Sequence, residues 1–172
     1  AAGTVRPAGF FSVRHEARGM QVRPPTEEEL DAVAATHVAA AEAGGARAYD
    51  PETVAAWAKR DARSPDDYPV DDPASHFVVA VTGDGEVAGF GELVPDEREV
   101  RAVYVHPDHE RRGVGSALLA HLEGYARALD CPALTLQSSL NAVAFYERAG
   151  WRRTGTGESP GGIEVVELRK PL

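Results

Sequence analysis

The chain has 172 residues, 43% of them apolar and 26% charged, with a formal net charge of −9 at pH 7. That length suits one domain with a sizeable core. The acidic balance argues against the basic face that a nucleic-acid binder needs, and no apolar run reaches the roughly 18 residues of a membrane span. The single cysteine, Cys131, allows no intramolecular disulfide and fits a reducing compartment such as the cytoplasm.

Residues 1–19 mix Gly, Pro and Arg without periodicity. They read as an N-terminal extension or a remnant of expression, with the domain spanning 20–172. Met20 opens a short strand. Thr26 and Glu29 have capping-box spacing for a helix start, and Leu30, Val33, Ala34 and Ala41 give that helix its apolar stripe. Gly44-Gly45 ends it. Asp50-Pro51 starts a second helix with Asp as cap and Pro at the first helical position. The Asp- and Pro-rich stretch 61–75 reads as a loop.

The period then changes to two. His76 to Val81, Glu86 to Val94 and Glu99 to Val105 read as three antiparallel strands joined by short turns. A long helix follows, with Val114, Ala117, Leu118, His121, Leu122, Tyr125 and Leu129 on one face. Ala133 to Gln137 is a strand reached by a helical crossover, hence parallel to the one before it. Asn141 to Ala149 reads as a short helix, with Gly150 as a left-handed cap. Trp151 to Thr156 and Ile163 to Leu168 are the last two strands. The fold class is single-domain α/β with a mixed central sheet, in the order β-αα-βββ-α-β-α-ββ.

The most informative stretch runs from Val103 to Leu119, where a strand ends in a Gly-containing turn that opens the long helix. The first turn of a helix leaves backbone N–H groups unpaired, and its dipole favours an anion there. Gly113 and Gly115 let a phosphate approach the backbone, and Arg111 and Arg112 add charged donors. Rival phosphate motifs fail. A P-loop requires Lys followed by Ser or Thr where Ser116-Ala117 stands, and a dinucleotide fingerprint requires a third Gly near Leu118.

Val103 to Leu119 resembles the acyl-CoA signature of the GNAT superfamily of N-acetyltransferases: Gln or Arg, two variable residues, Gly, a variable residue, then Gly or Ala. Here it reads Glu110-Arg-Arg-Gly-Val-Gly, with Glu110 a departure at the first position. Asn141-Ala-Val-Ala-Phe-Tyr-Glu-Arg-Ala-Gly-Trp resembles the second signature of the same family. The resemblance covers roughly 20–170 in element order and is specific at 99–119 and 141–151.

It implies acetyl-CoA as cofactor and transfer of an acetyl group to a primary amine of a small molecule or peptide. It implies that Arg111, Arg112, Gly113, Val114, Gly115 and Ser116 hold the pyrophosphate. Val103, Tyr104 and Val105 would pair with the pantetheine arm like an added strand, with Asn141 contacting the arm and the Val105 N–H meeting the oxyanion. It also implies Tyr146 as general acid and as a contact to the cofactor. An alkyl amine is largely protonated at neutral pH, so the site needs a base. Glu99 stands first, since the family often has an acid there, and Glu92 on the neighbouring strand competes. Alternation would place Glu99, Arg101, Val103 and Val105 on one face. Segment 44–75 would border the acceptor, and two copies could pair through the final strands. A non-catalytic acyl-CoA-binding sensor is the alternative reading. His106 and His109 make a weak metal pair, and Cys131 reads as a buried thiol.

Overall fold

The computed structural model describes residues 13–15 and 19–172. Among the described residues eight strands form one mixed sheet: β1 (Val13–His15), β2 (Met20–Arg23), β3 (His76–Val81), β4 (Val87–Val94), β5 (Glu99–Val105), β6 (Ala133–Ser139), β7 (Arg152–Glu158) and β8 (Glu164–Pro171), in spatial order β1-β2-β3-β4-β5-β6-β8-β7. The helices are α1 (Leu30–Gly45), α2 (Pro51–Ala58), α3 (Val114–Ala128) and α4 (Val143–Arg148). The element order follows the sequence reading from β2 onward. The added strand, β1, lies within the segment read as an extension and pairs antiparallel with β2.

Local chemistry sets the helix boundaries. Asp50 caps α2 by accepting from the Thr53 N–H at 2.8 Å, with Pro51 behind it. Thr26 and Glu29 form the capping box, but on a single 3-10 turn before α1, and Glu29 is also gripped by Arg23 at 2.7 Å. α4 is shorter than the 141–149 read from sequence, because Asn141 and Ala142 turn before the helix begins.

The two faces of the sheet carry separate apolar clusters. α3 packs Leu118, Leu119 and Leu122 against Val78, Leu93, Val100 and Leu134. α1 packs Val33 and Ala34 against Phe77, Val79 and Phe90 on the other face. His121 lies within the α3 layer, its Nε2 3.1 Å from His76 Nε2.

Two irregularities in β5 shape the molecule. The register with β4 slips between Glu92 and Leu93, so that Leu93 faces Val100 while Glu92 faces Ala102. Arg101 is therefore the extra residue of a bulge. This corrects the expected alternation: Val100, Val103 and Val105 belong to the α3 face, whereas Ala102 and Tyr104 belong to the α1 face. Glu99, adjacent to Val100, sits opposite Val103 and Val105. The second irregularity is a splay. β5 and β6 run parallel but pair at Glu99 and Thr135 alone, and then diverge.

Candidate active site

The splay opens a cleft of about 540 Å³. Its walls are β5 from Val100 to Val105, β6 from Gln137 to Ser139, the turn from His109 to Ser116 apart from Arg112, and Asn141, Phe145 and Tyr146 around α4. From α1, its following loop and α2 come Gly44, Arg47 and Trp57.

One edge of β5 is free along this cleft. The His106 N–H reaches back to the Ala88 carbonyl on β4 at 2.9 Å. By alternation Val103 and Val105 turn their N–H and C=O groups the other way, toward the gap that β6 leaves. An extended amide chain could pair there as an added strand.

At one end of the cleft α3 begins without a side-chain cap. Its N-cap, Gly113, has φ +81°, a conformation costly for any residue with a Cβ, and a Cβ there would point into open space. Gly115 serves differently. A Cβ there would come 3.2 Å from the Phe145 ring, so its bareness lets α3 and α4 close on each other. The unpaired N–H groups of the first turn thus face the cleft beside Arg111. Arg112 is exposed and does not line it. The departure at Glu110 has a local explanation, since its carboxylate accepts from Arg47 Nη2 at 2.8 Å.

Asn141 lies at the bend between the walls, where its buried Oδ1 accepts no hydrogen bond from any described residue. Tyr146 is buried in the same wall, and burial pushes its phenol well above the usual range, with Tyr104 nearby adding to the rise. Tyr104 turns its ring to the α1 face, where its hydroxyl accepts from Trp57 Nε1 at 3.1 Å.

The two candidate carboxylates stand together on the α1 face, outside the cleft walls. Glu92 is half-buried and accepts from Ser75 Oγ at 3.1 Å. Desolvation pushes its carboxyl above the usual range, against the pull of Ser75 and Arg101; Glu99 and Asp72 push the same way as burial. Glu99 is held by Arg101 Nε at 3.3 Å, and Arg101 also binds Glu97. The remaining candidates are engaged elsewhere. His106 Nδ1 accepts from the Asp108 N–H and His109 Nε2 lies 3.4 Å from Glu86. Among the described residues no three His, Cys, Asp or Glu side chains gather as a metal site. Cys131 packs half-buried against the α3 core.

No motif in the sequence marks Trp57, Arg47 or Tyr49, which reach the site only through the fold. His37 Nδ1 meets Tyr68 Oη at 3.0 Å and its ring packs 4.2 Å from that of Tyr104. Burial, aided by Arg63, pushes its pKa down to about 3. The folded state therefore refuses a proton that the unfolded chain takes up near pH 6.5. Its contribution to stability is complete above that pH and is lost as pH falls toward 3. Linkage sets the loss at roughly 3–5 kcal/mol over that window. His37→Phe should flatten the acid limb of the stability–pH curve by about one bound proton. Denaturant titrations at several pH values check this, and a wild-type-minus-variant difference that is constant with pH defeats it.

An α/β domain whose splayed strands and uncapped helix frame one cleft defines a binding fold for a ligand with an extended amide arm and an anionic end. The chain belongs to the GNAT acetyltransferase family: the model described as "Acetyltransferase (GNAT) family" matches residues 44–151. A solved GCN5-related N-acetyltransferase from Rhodopseudomonas palustris is 30% identical with a TM-score of 0.77, over 88% of this chain and 94% of that one. The PaiA N-acetyltransferase of Thermoplasma acidophilum, solved in complex with coenzyme A, shares the fold at a TM-score of 0.71 and 19% identity, over 89% of this chain and 99% of that one. Mycothiol acetyltransferase of Kineococcus radiotolerans is 39% identical over 75 residues, 41% of this chain and 25% of that protein. Glucosamine 6-phosphate N-acetyltransferase of Schizosaccharomyces pombe is 36% identical over 56 residues, 33% of this chain and 50% of that protein. The chain spans between 25% and 58% of the length of the curated relatives it matches.

The family's cofactor is acetyl-CoA, and the cleft fits it. The orphaned Asn141 Oδ1 lacks the donor that a pantetheine amide carries, and Gly113 leaves room where a Cβ would fill a phosphate cradle. Among the described residues no helix is long and apolar enough to cross a membrane.

Proposed function

We propose that this protein transfers an acetyl group from acetyl-CoA to a primary amine of a small molecule or peptide, directly, in a ternary complex. The observation that carries this is the coincidence in one cleft of an uncapped helix start, a free strand edge and a buried tyrosine. When bound, acetyl-CoA supplies an activated acyl group on a good leaving group. The chain's residues do the rest.

The first-turn N–H groups of α3 and Arg111 hold the anionic end. Val103, Val105 and Asn141 hold the arm straight along β5. The Val105 N–H stands ready for negative charge developing on a carbonyl oxygen. Tyr146 keeps its proton at Oη and donates a hydrogen bond from there.

Of the two carboxylates, Glu92 suits the base better, because desolvation makes it more basic while Glu99 is occupied by Arg101. Glu92 faces Ala102, which lines the cleft, so a water molecule would carry the proton from the amine to Glu92. Release of free thiol from acetyl-CoA over a panel of amines tests the reading. The expected result is release that depends on the amine and rises with pH through a pKa above the usual carboxylate range. Glu92→Gln should lower kcat/KM by about 10²–10⁴-fold and remove that rise, while Glu99→Gln should do neither. An unaffected Glu92→Gln protein moves the base elsewhere. Absence of amine-dependent release across the panel shifts the reading to a non-catalytic acyl-CoA sensor.

A further inference from the structure

Glu110 is the one acidic side chain among the residues lining the cleft, and it stands beside the cradle meant for an anion. Its carboxylate is engaged by Arg47, 63 positions away in sequence, and Arg47, Glu110 and Arg111 all line the same cleft. Arg47 lies in the loop joining α1 to α2, and that loop is fastened across the cleft. Tyr49 Oη donates to the Glu164 carbonyl at 2.6 Å and accepts from the Leu140 N–H at 2.9 Å. Gly44, one turn earlier, lies against the Asn141 amide so closely that a Cβ would meet Nδ2 at 2.8 Å. Arg47 is therefore carried on a fixed strap.

The side chains of Arg47 and Glu110 are 57% and 30% exposed, and an ion pair so exposed adds little to stability. It consumes one of the five N–H donors of the guanidinium, the one at Nη2 that meets Glu110. A planar guanidinium with donors to spare is well matched to phosphate oxygens.

We infer that Arg47 is a cofactor-binding residue: its guanidinium, held at the cleft by Glu110, contacts a phosphate of coenzyme A and supplies from the α1–α2 loop the positive charge that position 110 lacks. The inference rests on the acyl-CoA reading given above. It assigns Glu110 a positioning role, and it places this loop on the cofactor.

Calorimetric titration of the full chain with coenzyme A and with pantetheine, which carries no phosphate, tests it. Arg47→Ala should weaken coenzyme A about tenfold or more and leave pantetheine within about twofold of wild type. Adding Glu110→Gln to Arg47→Ala should recover part of the loss, because a bare carboxylate no longer faces the phosphates. Unchanged coenzyme A affinity in Arg47→Ala overturns the contact. So does an equal loss for both ligands, which would make Arg47 a support for the strap. Complete recovery in the double variant also overturns it, since Arg47 would then only mask Glu110. A wild-type protein that binds neither ligand defeats the acyl-CoA reading itself, whereas one that binds both while ignoring Arg47→Ala defeats this inference alone.

Discussion

Tyr146→Phe should lower kcat by about 10²–10³-fold, the range seen when one preorganised donor to developing charge is removed, while leaving coenzyme A affinity and melting temperature nearly unchanged. The ring itself is structural. It is 6% exposed and packs edge-on against Phe145 and Trp151 at 5.0 and 6.1 Å. Phenylalanine keeps all of that, so only the hydroxyl is deleted. Burial holds the phenol protonated, above its ordinary pKa. A thiol ionises near pH 8.5, well below this phenol, so the proton stays mostly on Tyr146 and the hydroxyl acts as a hydrogen-bond donor to developing thiolate charge. Two consequences follow. The variant's kcat should fall with little change in KM, and the wild-type rate should show no limb from Tyr146 in the neutral range. Steady-state kinetics with the best amine from the panel decide the matter. An unchanged kcat would leave Tyr146 a packing residue.

The parts of the site visible in the sequence are those built from neighbours along the chain. Asp50-Pro51 caps α2 because a carboxylate three residues from an N–H is a local geometry. The strand, turn and helix from Val103 to Leu119 are likewise contiguous, so the Gly-containing, uncapped helix start could be read directly. What could not be read depends on register and on long-range pairing. No Gly or Pro marks the bulge at Arg101, yet that one extra residue moves Glu99 to the face opposite Val103 and Val105. Glu99 stands ahead of Glu92 in sequence only through the family resemblance, and nothing in the residues themselves separates them. Their difference comes from Arg101 holding one and from burial beside Ser75 acting on the other. Arg47 and Glu110 meet only because the loop after α1 folds over the cleft.

Glu123 is another residue whose importance only the fold reveals, and the second large effect is expected there. It sits on α3 beside the apolar stripe, buried, with its side chain 7% exposed. Lys170 Nζ, on β8, donates to both carboxylate oxygens at 2.9 and 2.8 Å and to the Ala149 carbonyl at 2.7 Å. Trp151 Nε1 adds a third hydrogen bond to Glu123 at 3.1 Å. Arg127, half-exposed and 3.5 Å away, is a weaker partner. Lys170→Met keeps the length of the side chain but leaves a buried carboxylate with most of its compensation gone. The expected cost is about 3–5 kcal/mol, the range for breaking a buried pair from one side, and a fall in Tm on the order of 10 °C for a domain of this size. Replacing both partners, as Lys170→Met with Glu123→Gln, should recover much of that loss, because the cost lies in the orphaned charge. The pair fastens the C-terminal half of α3 to β8 and to the Ala149–Trp151 corner that ends α4, the helix carrying Tyr146. The single variant should therefore lose turnover at temperatures where it is still folded, and the double variant should regain it. Thermal melts and kcat measured on the same preparations test both halves. A Lys170→Met protein within about 1 kcal/mol of wild type would place this network among ion pairs of no consequence.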